Sequence, residues 1–497
     1  MTPALDNTPV LVVGAGIMGT GIAQVAAQAG HPVMLYDARP NAARTAKSNL
    51  ETTFKKLVEK KKFTTASAAQ TLAQIDPIDN LDAAASAGLV IEAIVEDIEA
   101  KRGLLQQLEV IVADDCLLAT NTSSISISAL ANGLAHPERV VGMHFFNPVP
   151  LMQLVEVVSG MQTDPAIADA IFRLSRSWGK IPVHARSTPG FIVNRIARPF
   201  YAETLALLQE QASTPAVLDA CLRAAGFRMG PCELMDLIGH DTNLAVTRSV
   251  YEANFFDKRF VPSLLQQSLV DSGLLGRKTG RGFYQYPNPA ATTSFTRLDF
   301  LPAHSQLWVH GNCAVSAHIA RSLDAHDCRY QHITDSDWSG LQVDEAQLRL
   351  TDGRPAAQLG RHVAVFDLPL SGQNGSELAW SHAGSADPIW SAAAGDWLAI
   401  FGFNAQRIAD TPGLVVARTV AMLINEAADA VQQGVCSEAD ANTAMKLGVN
   451  YPAGPFEWLD AWSSAAVIAL IDSLDDYYRG ERYRVSPWLR QHAWRQT

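Results

Sequence analysis

A short apolar strand followed at once by a glycine-rich turn constrains this chain more than any other feature. The run PVLVV (9–13) is typical of a buried parallel strand, and GAGIMG (14–19) follows it with the spacing G-x-G-x-x-G. In that pattern Gly14 allows a tight turn, Gly16 lets a pyrophosphate approach the backbone, and Gly19 lets the following helix pack on the strand. The turn residues expected at a bound dinucleotide are Gly14, Gly16, Ile17, Met18 and Gly19.

A second apolar run, PVMLY (32–36), ends at Asp37, which lies 23 residues after Gly14. A carboxylate at this place accepts hydrogen bonds from both ribose hydroxyls and repels a 2′-phosphate, so we expect NAD rather than NADP. Arg39 keeps NADP open as an alternative, because it follows Asp37 closely enough to contact a 2′-phosphate. The order of strand, glycines, helix, strand and acid argues against a chance glycine turn.

Further apolar runs alternate with helical stretches, which is the pattern of a doubly wound α/β sheet. A long predicted helix over 42–62 ends in the lysine-rich run KKLVEKKKF (55–63). On composition alone these lysines belong to an ordinary solvated face; a polyphosphate ligand beside the dinucleotide site would reverse that interpretation. The later predicted strands are 89–94, 117–120, 140–146, 154–158 and 181–184.

Composition and charge exclude several classes of protein. The 497 residues suffice for two to four domains, and 48% of them are hydrophobic. The formal charge of −11 gives no support for a nucleic-acid surface. The six cysteines are scattered without a C-x-x-C pair, which argues against a metal site and for a reducing compartment. With no signal peptide and no apolar run long enough for a membrane span, we expect a cytoplasmic protein without a membrane partner.

Seven short motifs resemble those of the 3-hydroxyacyl-CoA dehydrogenase family of β-oxidation and related CoA pathways, in the same order and over residues 9–285. They are GAGIMG (14–19), EAIVE (92–96), NTSS (121–124), HFFNPVP (144–150), TPGFIVNR (188–195), GPCELMDLIG (230–239) and GRKTGRGFY (276–284). Three of these motifs follow predicted strands, and ligands of open α/β sheets bind beyond the carboxyl ends of the strands. The resemblance implies a Rossmann-type NAD domain, a helical domain, and NAD-dependent oxidation of an (S)-3-hydroxyacyl-CoA to the 3-oxoacyl-CoA.

The resemblance also assigns the chemistry to four side chains. His144 is expected to act as the general base, because the alcohol must lose a proton as its carbon loses hydride and imidazole titrates near neutral pH. Glu156 would orient His144 and stabilise the imidazolium, as a carboxylate does in hydrolase triads. Ser123 and Asn194 would hold the substrate oxygen. A single histidine in an apolar strand is more often a satisfied core residue, and the ordered set of motifs argues against that alternative here.

The same match places further residues at the cofactor and at CoA. In this family the lysine-rich helix region contacts CoA, and Lys60 is our choice for a phosphate partner. For Glu96 and Lys101 the alternative is a surface ion pair. The expected cofactor residues outside the glycine turn are Asp37, Glu96, Lys101, Asn121, Ser123, Asn147 and Lys278.

The second half of the chain contains another copy of the helical domain. TPGFIVNR (188–195) recurs as TPGLVVAR (411–418), and GPCELMDLIG (230–239) recurs as GPFEWLDAWS (454–463). Such self-similarity indicates a duplicated structural unit. Asn194 aligns with Ala417, so we expect the second copy to pack on the first as an intramolecular pseudo-dimer without binding substrate. A homo-oligomer of the whole chain stays open.

The segment between the two copies has the pattern of a degenerate dinucleotide fold. LWVHGNCAVSAHIARSL (307–323) predicts strand, turn and helix, with Gly311, Cys313 and Ser316 where three glycines would stand. Matching DWLAIFGFN (396–404) to the strand that carries His144 puts Phe401 in place of the base. An unrelated α/β insert is the alternative. The predicted domains are an NAD-binding domain over 1–187, helical domains over 188–285 and 408–497, and a linker with the degenerate α/β segment over 286–407, with linker stretches at 286–297 and 373–387.

Two other functions are compatible with a dinucleotide fold: oxidation of a free β-hydroxy acid or sugar acid, and a non-catalytic NAD-binding structural role. The intact set of Ser123, His144, Glu156 and Asn194 argues against the second, which an NADH assay with acetoacetyl-CoA would test. The length and the tandem helical domains resemble family members of phenylacetate catabolism, whose substrate is 3-hydroxyadipyl-CoA. Acyl-chain choice depends on pocket shape, so 3-hydroxybutyryl-CoA is the other substrate considered.

Overall fold

The computed structural model describes residues 5–287 and 301–496. The predicted linker 286–297 therefore lies, apart from its first two residues, outside the described residues. The chain forms two compact units, one made of Met1–Arg195 with Ala430–Val449 and the other of Ile196–Asp429 with Asn450–Thr497. Residues 430–449 thus belong to the unit of the first sheet, although the repeat places them in the second helical copy.

Strands and helices alternate through most of the first unit, whereas the second unit begins with five helices and its first described strand begins at Leu307. The strands are β1 Val10–Val13, β2 Val33–Tyr36, β3 Ile75–Pro77, β4 Leu89–Glu92, β5 Leu117–Thr120, β6 Val140–Phe145, β7 Leu154–Ser159, β8 Ile181–Arg186, β9 Leu307–His310, β10 Gln331–Ile333, β11 Gly340–Val343, β12 Ala346–Leu350, β13 Val363–Phe366, β14 Ser376–His382 and β15 Phe403–Arg407. The helices are α1 Ile17–Gln28, α2 Ala42–Glu59, α3 Thr65–Ala73, α4 Ile98–Glu109, α5 Ile127–Ala131, α6 Pro165–Ser177, α7 Val193–Ile196, α8 Arg198–Gln209, α9 Pro215–Ala224, α10 Pro231–Ile238, α11 His240–Ala253, α12 Leu264–Asp271, α13 Ala314–Asp324, α14 Ala356–Leu359, α15 Pro388–Ile400, α16 Val416–Gln432, α17 Glu438–Gly448, α18 Pro455–Trp462, α19 Ser464–Tyr478 and α20 Pro487–Gln496.

The first unit contains an eight-stranded sheet with the order β3-β2-β1-β4-β5-β6-β7-β8. Its strands pair in parallel except for β6 and β7, which are antiparallel. The strands β1, β4, β5 and β6 are buried along their whole length, as near-continuous apolar runs predict. The predicted doubly wound α/β fold is confirmed. Its strand order reverses between β1 and β4, and nucleotides bind in the crevice at such a reversal.

The second unit contains a seven-stranded mixed sheet with the order β10-β9-β11-β12-β13-β14-β15. The strands β9 and β10 pair in parallel and α13 connects them, which is the strand-helix-strand unit that a degenerate dinucleotide fold requires. The linker predicted over 373–387 is wrong, because its middle is the strand β14, Ser376–His382, which pairs with β13 and β15. Turn-forming residues at both ends of this buried strand produced the linker pattern.

The two helical copies repeat even in their unusual backbone conformations. Phe191 and Leu414, at aligned positions, have φ angles of 47° and 52°. Gly239 and Ser463, also aligned, have φ angles of 98° and 89°. A positive φ is uncommon for a residue with a side chain, so its recurrence indicates that the copies share their turn geometry as well as their helix order.

Each sheet is covered in part by a helix from a helical copy. In the second unit, α9 of the first copy packs against β14. In the first unit, α17 of the second copy packs against β7 and β8. There, a Cβ atom on Gly448 would lie 2.8 Å from Leu154, so this close approach of helix and sheet requires glycine. Because α17 packs on the first sheet, residues 430–449 belong to the first unit, whereas the rest of the second helical copy belongs to the second unit.

Candidate active site

His144 and Glu156 lie directly opposite each other in the antiparallel pairing of β6 and β7. The distance from His144 Nδ1 to Glu156 Oε2 is 2.6 Å, and both side chains are buried. Because Nδ1 is engaged, Nε2 is the ring nitrogen with no hydrogen-bond partner among the residues that the structure describes. A carboxylate on one ring nitrogen selects the tautomer that leaves the other free to accept a proton.

Glu156 also holds the start of the helix that carries Asn194. Its Oε1 accepts hydrogen bonds from the backbone N–H groups of Ile192 and Val193, each at 3.0 Å. Asn194 Nδ2 in turn donates to the carbonyl oxygen of Ser123 at 3.5 Å. The four residues assigned to the chemistry therefore lie in the first unit. The Glu156 carboxylate connects His144 to the start of the helix that carries Asn194, and Asn194 contacts Ser123.

Two aromatic rings that the sequence analysis missed contact the histidine. The ring of Phe146 lies 4.5 Å from that of His144, and the ring of Phe191 lies 5.9 Å away, measured between centroids. Both phenylalanines belong to motifs already singled out, HFFNPVP and TPGFIVNR. They surround the imidazole with apolar surface, which limits its contact with water.

Glu96 lies beside the NTSS turn at the end of β5. It accepts hydrogen bonds from the Ser123 N–H at 2.8 Å and from the Thr122 and Ser124 hydroxyls at 2.7 and 3.0 Å. Burial by itself would raise the pKa of Glu96, but the charge of Lys101 and these hydrogen bonds lower it. Glu96 is thus an ionised acceptor next to Ser123.

Lys101 is almost completely buried, with 1% of its side chain exposed. It forms ion pairs with Glu92 at 2.7 Å and with Glu96 at 3.3 Å. Glu92, which the sequence analysis did not single out, also accepts a hydrogen bond from the Thr120 hydroxyl. The alternative of a surface ion pair is therefore wrong for Lys101. Its ammonium forms an ion pair with Glu96 and has almost no exposed surface.

The glycine turn has the open space that a pyrophosphate needs. A Cβ atom on Gly14 or Gly19 would come within 2.4 or 1.8 Å of a backbone oxygen, whereas a Cβ atom on Gly16 would meet nothing within 4 Å. Gly16 immediately precedes α1, whose N-terminus favours phosphate charge. Ile17 and Met18 form the first residues of that helix, and Ile17 is largely exposed. These residues fit a bound dinucleotide.

The corresponding turn of the second sheet is filled by side chains. A Cβ atom on Gly311 would lie 2.3 Å from the Ser339 hydroxyl. Cys313 Sγ lies 3.4 Å from the same hydroxyl oxygen, and the Ser316 hydroxyl donates to the carbonyl oxygen of His310 at 2.6 Å. The residues present there do not fit a pyrophosphate.

Asp37 follows β2 and accepts a hydrogen bond from the Ala15 N–H at 2.8 Å. Arg39 donates to both of its oxygens, each at 2.9 Å, and remains largely exposed. The hydrogen bonds from Arg39 hold the pKa of Asp37 well below its usual range, although burial opposes them. An ionised carboxylate at this place suits a ribose diol, and its charge also holds Arg39.

The remaining predicted residues occupy different places. Asn121 Oδ1 accepts a hydrogen bond from the Phe145 N–H at 2.8 Å, and Asn147 lines a groove of about 680 Å³ together with Gly16 and Arg39. Lys60 is exposed at the end of α2. Lys278 lies in the second unit, where it forms an ion pair with Asp241, and its cofactor contact stays a prediction. No cluster of His, Cys, Asp or Glu suited to a metal ion occurs within 5–287 and 301–496.

The second sheet repeats the strand pairing around the His–Glu pair but not the pair itself. The pairing of β13, β14 and β15 matches that of β6, β7 and β8. Ala379 lies 32 residues before Thr411, as Glu156 does before Thr188, and its cross-strand neighbour is Asp367. Assigning Phe401 to the position of His144 is therefore wrong, because Phe401 follows α15 and Asp367 stands at that position.

Asp367 caps the second TPG turn in the same way that Glu156 caps the first. Its carboxylate accepts hydrogen bonds from the N–H groups of Val415, Val416 and Ala417 at 2.9, 2.7 and 2.9 Å. Burial raises the pKa of Asp367 to about 6. The carboxylate of the second copy therefore caps its turn as Glu156 does, but it stands in the place of the histidine instead of pairing with one.

A Rossmann-type sheet with an open glycine turn, a carboxylate just after its second strand and a buried His–Glu pair defines an NAD-dependent dehydrogenase. Three family models match the chain: the 3-hydroxyacyl-CoA dehydrogenase NAD binding domain at 9–188, the C-terminal domain of the same enzymes at 190–286 and 413–495, and the 3-hydroxybutyryl-CoA dehydrogenase reduced Rossmann-fold domain at 348–412. The chain belongs to the 3-hydroxyacyl-CoA dehydrogenase family, whose reaction is the NAD-dependent oxidation of a 3-hydroxyacyl-CoA. The predicted degenerate insert is confirmed by the third match.

The chain is similar to relatives with both long and short forms. It is 41% identical over 485 residues to the 3-hydroxyadipyl-CoA dehydrogenase of Escherichia coli K12, which covers 97% of each chain. It is 42% identical over 276 residues to a probable 3-hydroxybutyryl-CoA dehydrogenase of Deinococcus radiodurans, which covers 55% of this chain and 99% of that one. The crystal structure of a 3-hydroxybutyryl-CoA dehydrogenase from Escherichia coli K12 aligns with a TM-score of 0.90 at 40% identity, covering 99% of both chains.

Proposed function

We propose that this chain oxidises (S)-3-hydroxyacyl-CoA with His144 as the general base. The observation that carries the proposal is the buried contact between His144 Nδ1 and Glu156 Oε2, which leaves Nε2 free. As the substrate carbon loses hydride, Nε2 takes the hydroxyl proton, and Glu156 stabilises the resulting imidazolium. NAD, when bound, accepts the hydride at its nicotinamide ring.

Ser123 and Asn194 are proposed to hold the substrate oxygen. The contact between Asn194 Nδ2 and the Ser123 carbonyl, at 3.5 Å, is long for a hydrogen bond. An amide donor held so weakly can turn to a ligand at little cost. The Ser123 hydroxyl donates a hydrogen bond to Glu96 at 3.2 Å, and its oxygen remains able to accept one from a ligand.

Residues of the first unit would hold the cofactor. Gly16, with Ile17 and Met18, would lie under the pyrophosphate, and Asp37 would bind the ribose. Asn121, Glu96 and Asn147 would lie along the nicotinamide side, with Lys101 holding Glu96 in place. Five lysines at the end of α2 and in the turn that follows it form no ion pair among the described residues, which supports a role for this region in binding CoA phosphates: Lys55, Lys56, Lys60, Lys61 and Lys62.

Two acyl-CoA thioesters are the leading substrates. One long relative is named for 3-hydroxyadipyl-CoA, and the protein of the similar crystal structure is named for 3-hydroxybutyryl-CoA. We favour the adipyl substrate. Initial rates of NADH formation with purified protein and each acyl-CoA test the function and the preference together. Turnover of neither substrate, or of free 3-hydroxybutyrate alone, would contradict the proposal.

Asp37→Ala should weaken NADH binding roughly 10- to 100-fold, the worth of a hydrogen bond to a charged group. The loss should be smaller for NADPH, because Arg39 no longer has Asp37 as a partner and becomes available to a 2′-phosphate. Dissociation constants from NADH and NADPH fluorescence measure both effects. Asp79→Ala is the matched control, since Asp79 forms an exposed ion pair with Arg44. Equal losses for both cofactors would remove Asp37 from cofactor selection.

We also propose that the two helical copies form an intramolecular pseudo-dimer with one active site per chain. Within the second unit, Phe227 of the first copy contacts Tyr451 of the second with ring centroids 5.0 Å apart. Arg418 of the second copy donates to Glu203 of the first at 2.7 Å, and both side chains are buried. Phe227 and Tyr451 occupy equivalent positions of the repeat, and a contact between equivalent residues is that of a twofold interface. A single chain brings the copies together at high effective concentration.

Removal of all residues after 290 should give a chain that aggregates or forms a new dimer. The truncation exposes the apolar face around Phe227 and also removes α17 from β7 and β8. Light scattering measures the oligomeric state, and calorimetric titration of the full chain with NADH should give one site per chain. A truncated chain that stays a stable monomer, or two NADH sites in the full chain, would contradict the pseudo-dimer proposal.

A cytoplasmic location is part of the same proposal. All six cysteines are free, three of them fully buried, which fits a reducing compartment. Among the described residues, no helix is both long and apolar enough to cross a bilayer.

A further inference from the structure

A cavity of about 570 Å³ lies within the second unit, where the two helical copies meet. Its first wall is one face of α8, whose lining side chains recur at the spacing of helical turns, together with the segment 259–266. Its second wall is the segment 478–483 of the second copy. Every residue that lines the cavity belongs to the second unit, whereas His144 and Glu156 belong to the first.

The lining of this cavity is mostly apolar. Leu205, Phe260, Val261 and Pro262 all contribute to it. Small-molecule sites typically enclose about 300–1,000 Å³ and combine apolar walls with a few polar groups. The walls therefore suit an aliphatic chain of medium length, and the polar groups determine which head group that chain carries.

Arg198, on α8, is a buried cation without a carboxylate partner among the described residues. It is only 6% exposed, and its Nη1 donates to the Thr247 hydroxyl at 3.2 Å, while its Nε has no hydrogen-bond partner in the described part of the chain. The ring of Tyr201, one turn further along α8, lies 4.9 Å from the guanidinium carbon. Burial lowers the pKa of Arg198, because the charged form loses water without gaining an opposite charge.

The other buried charges around the cavity balance one another in two sets of ion pairs. In the first set two arginines face two carboxylates: Arg418 and Arg482 with Glu203 and Glu210. The second set has the same composition: Arg259 and Arg484 with Glu426 and Asp429. Each set is neutral, so the positive charge of Arg198 is the one left over among the described residues around the cavity. A buried charge of this kind is costly unless a ligand supplies the opposite one.

The internal repeat shows that the helical fold does not require a cation at this position. Arg198 and Tyr201 of α8 align with Ala421 and Ile424 of α16, and both of these apolar residues are completely buried. The same position of the same helix is thus filled by apolar packing in one copy and carries a guanidinium beside a cavity in the other. The arginine therefore points to a ligand and not to a requirement of the fold.

We propose that this cavity binds an aliphatic monocarboxylate of medium chain length, whose carboxylate pairs with Arg198. The planar fork of a guanidinium donates two parallel hydrogen bonds to a carboxylate. The Tyr201 hydroxyl has no hydrogen-bond partner among the described residues and lies on the same face of α8, so it is a further donor. One unpaired positive charge neutralises one negative charge, which favours a monocarboxylate over a dicarboxylate or a phosphate. Because both helical copies line the cavity, the bound acid should stabilise their contact.

The test measures octanoate binding to the full chain by calorimetric titration. The wild type should bind one octanoate per chain, with the same affinity when NAD and acetoacetyl-CoA are present at saturation, and its melting temperature should rise with octanoate concentration. Arg198→Met should weaken octanoate binding roughly 10- to 100-fold, the effect of losing hydrogen bonds to a charged group. 1-Octanol has the same chain without the charge. It should bind the wild type less tightly than octanoate does and lose no affinity in Arg198→Met, which would also show that the variant keeps the cavity.

Arg248→Met is the matched control. Arg248 follows Thr247 on α11, is exposed and donates to the side-chain oxygen of Gln267, and its replacement removes the same charge from the same unit. That variant should bind octanoate as the wild type does. The inference would be overturned by a wild type that binds no octanoate, by equal octanoate affinities in the wild type and Arg198→Met, by an equal loss in Arg248→Met, or by displacement of octanoate with acetoacetyl-CoA. The comparison of octanoate with 1-octanol on the wild type needs no variant, and equal affinities for these two ligands would overturn it as well.

Discussion

Replacing His144 with glutamine is expected to reduce kcat about 10²- to 10⁴-fold, the usual contribution of a general base. Glutamine can still donate a hydrogen bond to Glu156 from the position of the imidazole, so the pairing of β6 and β7 should persist. It cannot accept the hydroxyl proton at neutral pH. Single-turnover formation of NADH from saturating acyl-CoA measures the loss, and NADH fluorescence checks that cofactor binding is retained.

His240→Gln is the matched control for this prediction. His240 is also a buried histidine on a carboxylate, with its Nε2 2.8 Å from Asp236 Oδ1, but it lies in the second unit. That variant should lower the melting temperature and leave kcat of the folded enzyme unchanged. Near-normal turnover in His144→Gln, or an equal loss of kcat in both variants, would remove His144 from the chemistry.

Glu156→Gln is expected to lose both turnover and stability. The carboxylate stabilises the imidazolium and also accepts the N–H groups of Ile192 and Val193. We expect kcat to fall roughly 10²- to 10⁴-fold, as for the carboxylate of a catalytic triad, and the ascending limb of the pH–rate profile to move to lower pH. The free energy of unfolding should fall by about 1–3 kcal/mol, because one amide oxygen replaces two acceptors in a buried site.

Asp367→Asn separates the effect on stability from the effect on turnover. Asp367 caps the equivalent turn of the second copy and has no histidine partner in the described part of the chain. This variant should lose stability, because an amide offers one acceptor oxygen where the carboxylate offers two, while its pH–rate profile stays that of the wild type. If Glu156→Gln changes stability alone and leaves the pH–rate profile where it was, Glu156 acts only as a cap.

Local sequence determined the parts of this protein that depend on neighbours along the chain. The turn around Gly16, the carboxylate of Asp37 and the repeated TPG turns were all predictable, because each requires particular residue types at short spacing. The strands could be located for the same reason, since a buried parallel strand needs an unbroken apolar run. The order of the motifs was then sufficient to indicate the family.

Only the tertiary structure decided which distant side chains meet. The antiparallel register of β6 and β7 brings His144 and Glu156 together, and in the second sheet the same register places Asp367 opposite Ala379. Sequence comparison assigned Phe401 to the position of His144 instead, because the residues next to Phe401 along the chain resemble those next to His144. Strand pairing, in contrast, joins residues that lie far apart in the sequence. How a buried charge is held is likewise a property of the packed molecule: Lys101 pairs with Glu92 and Glu96, whereas Asp367 accepts backbone N–H groups. Burial makes such differences large, because water no longer compensates for a missing partner.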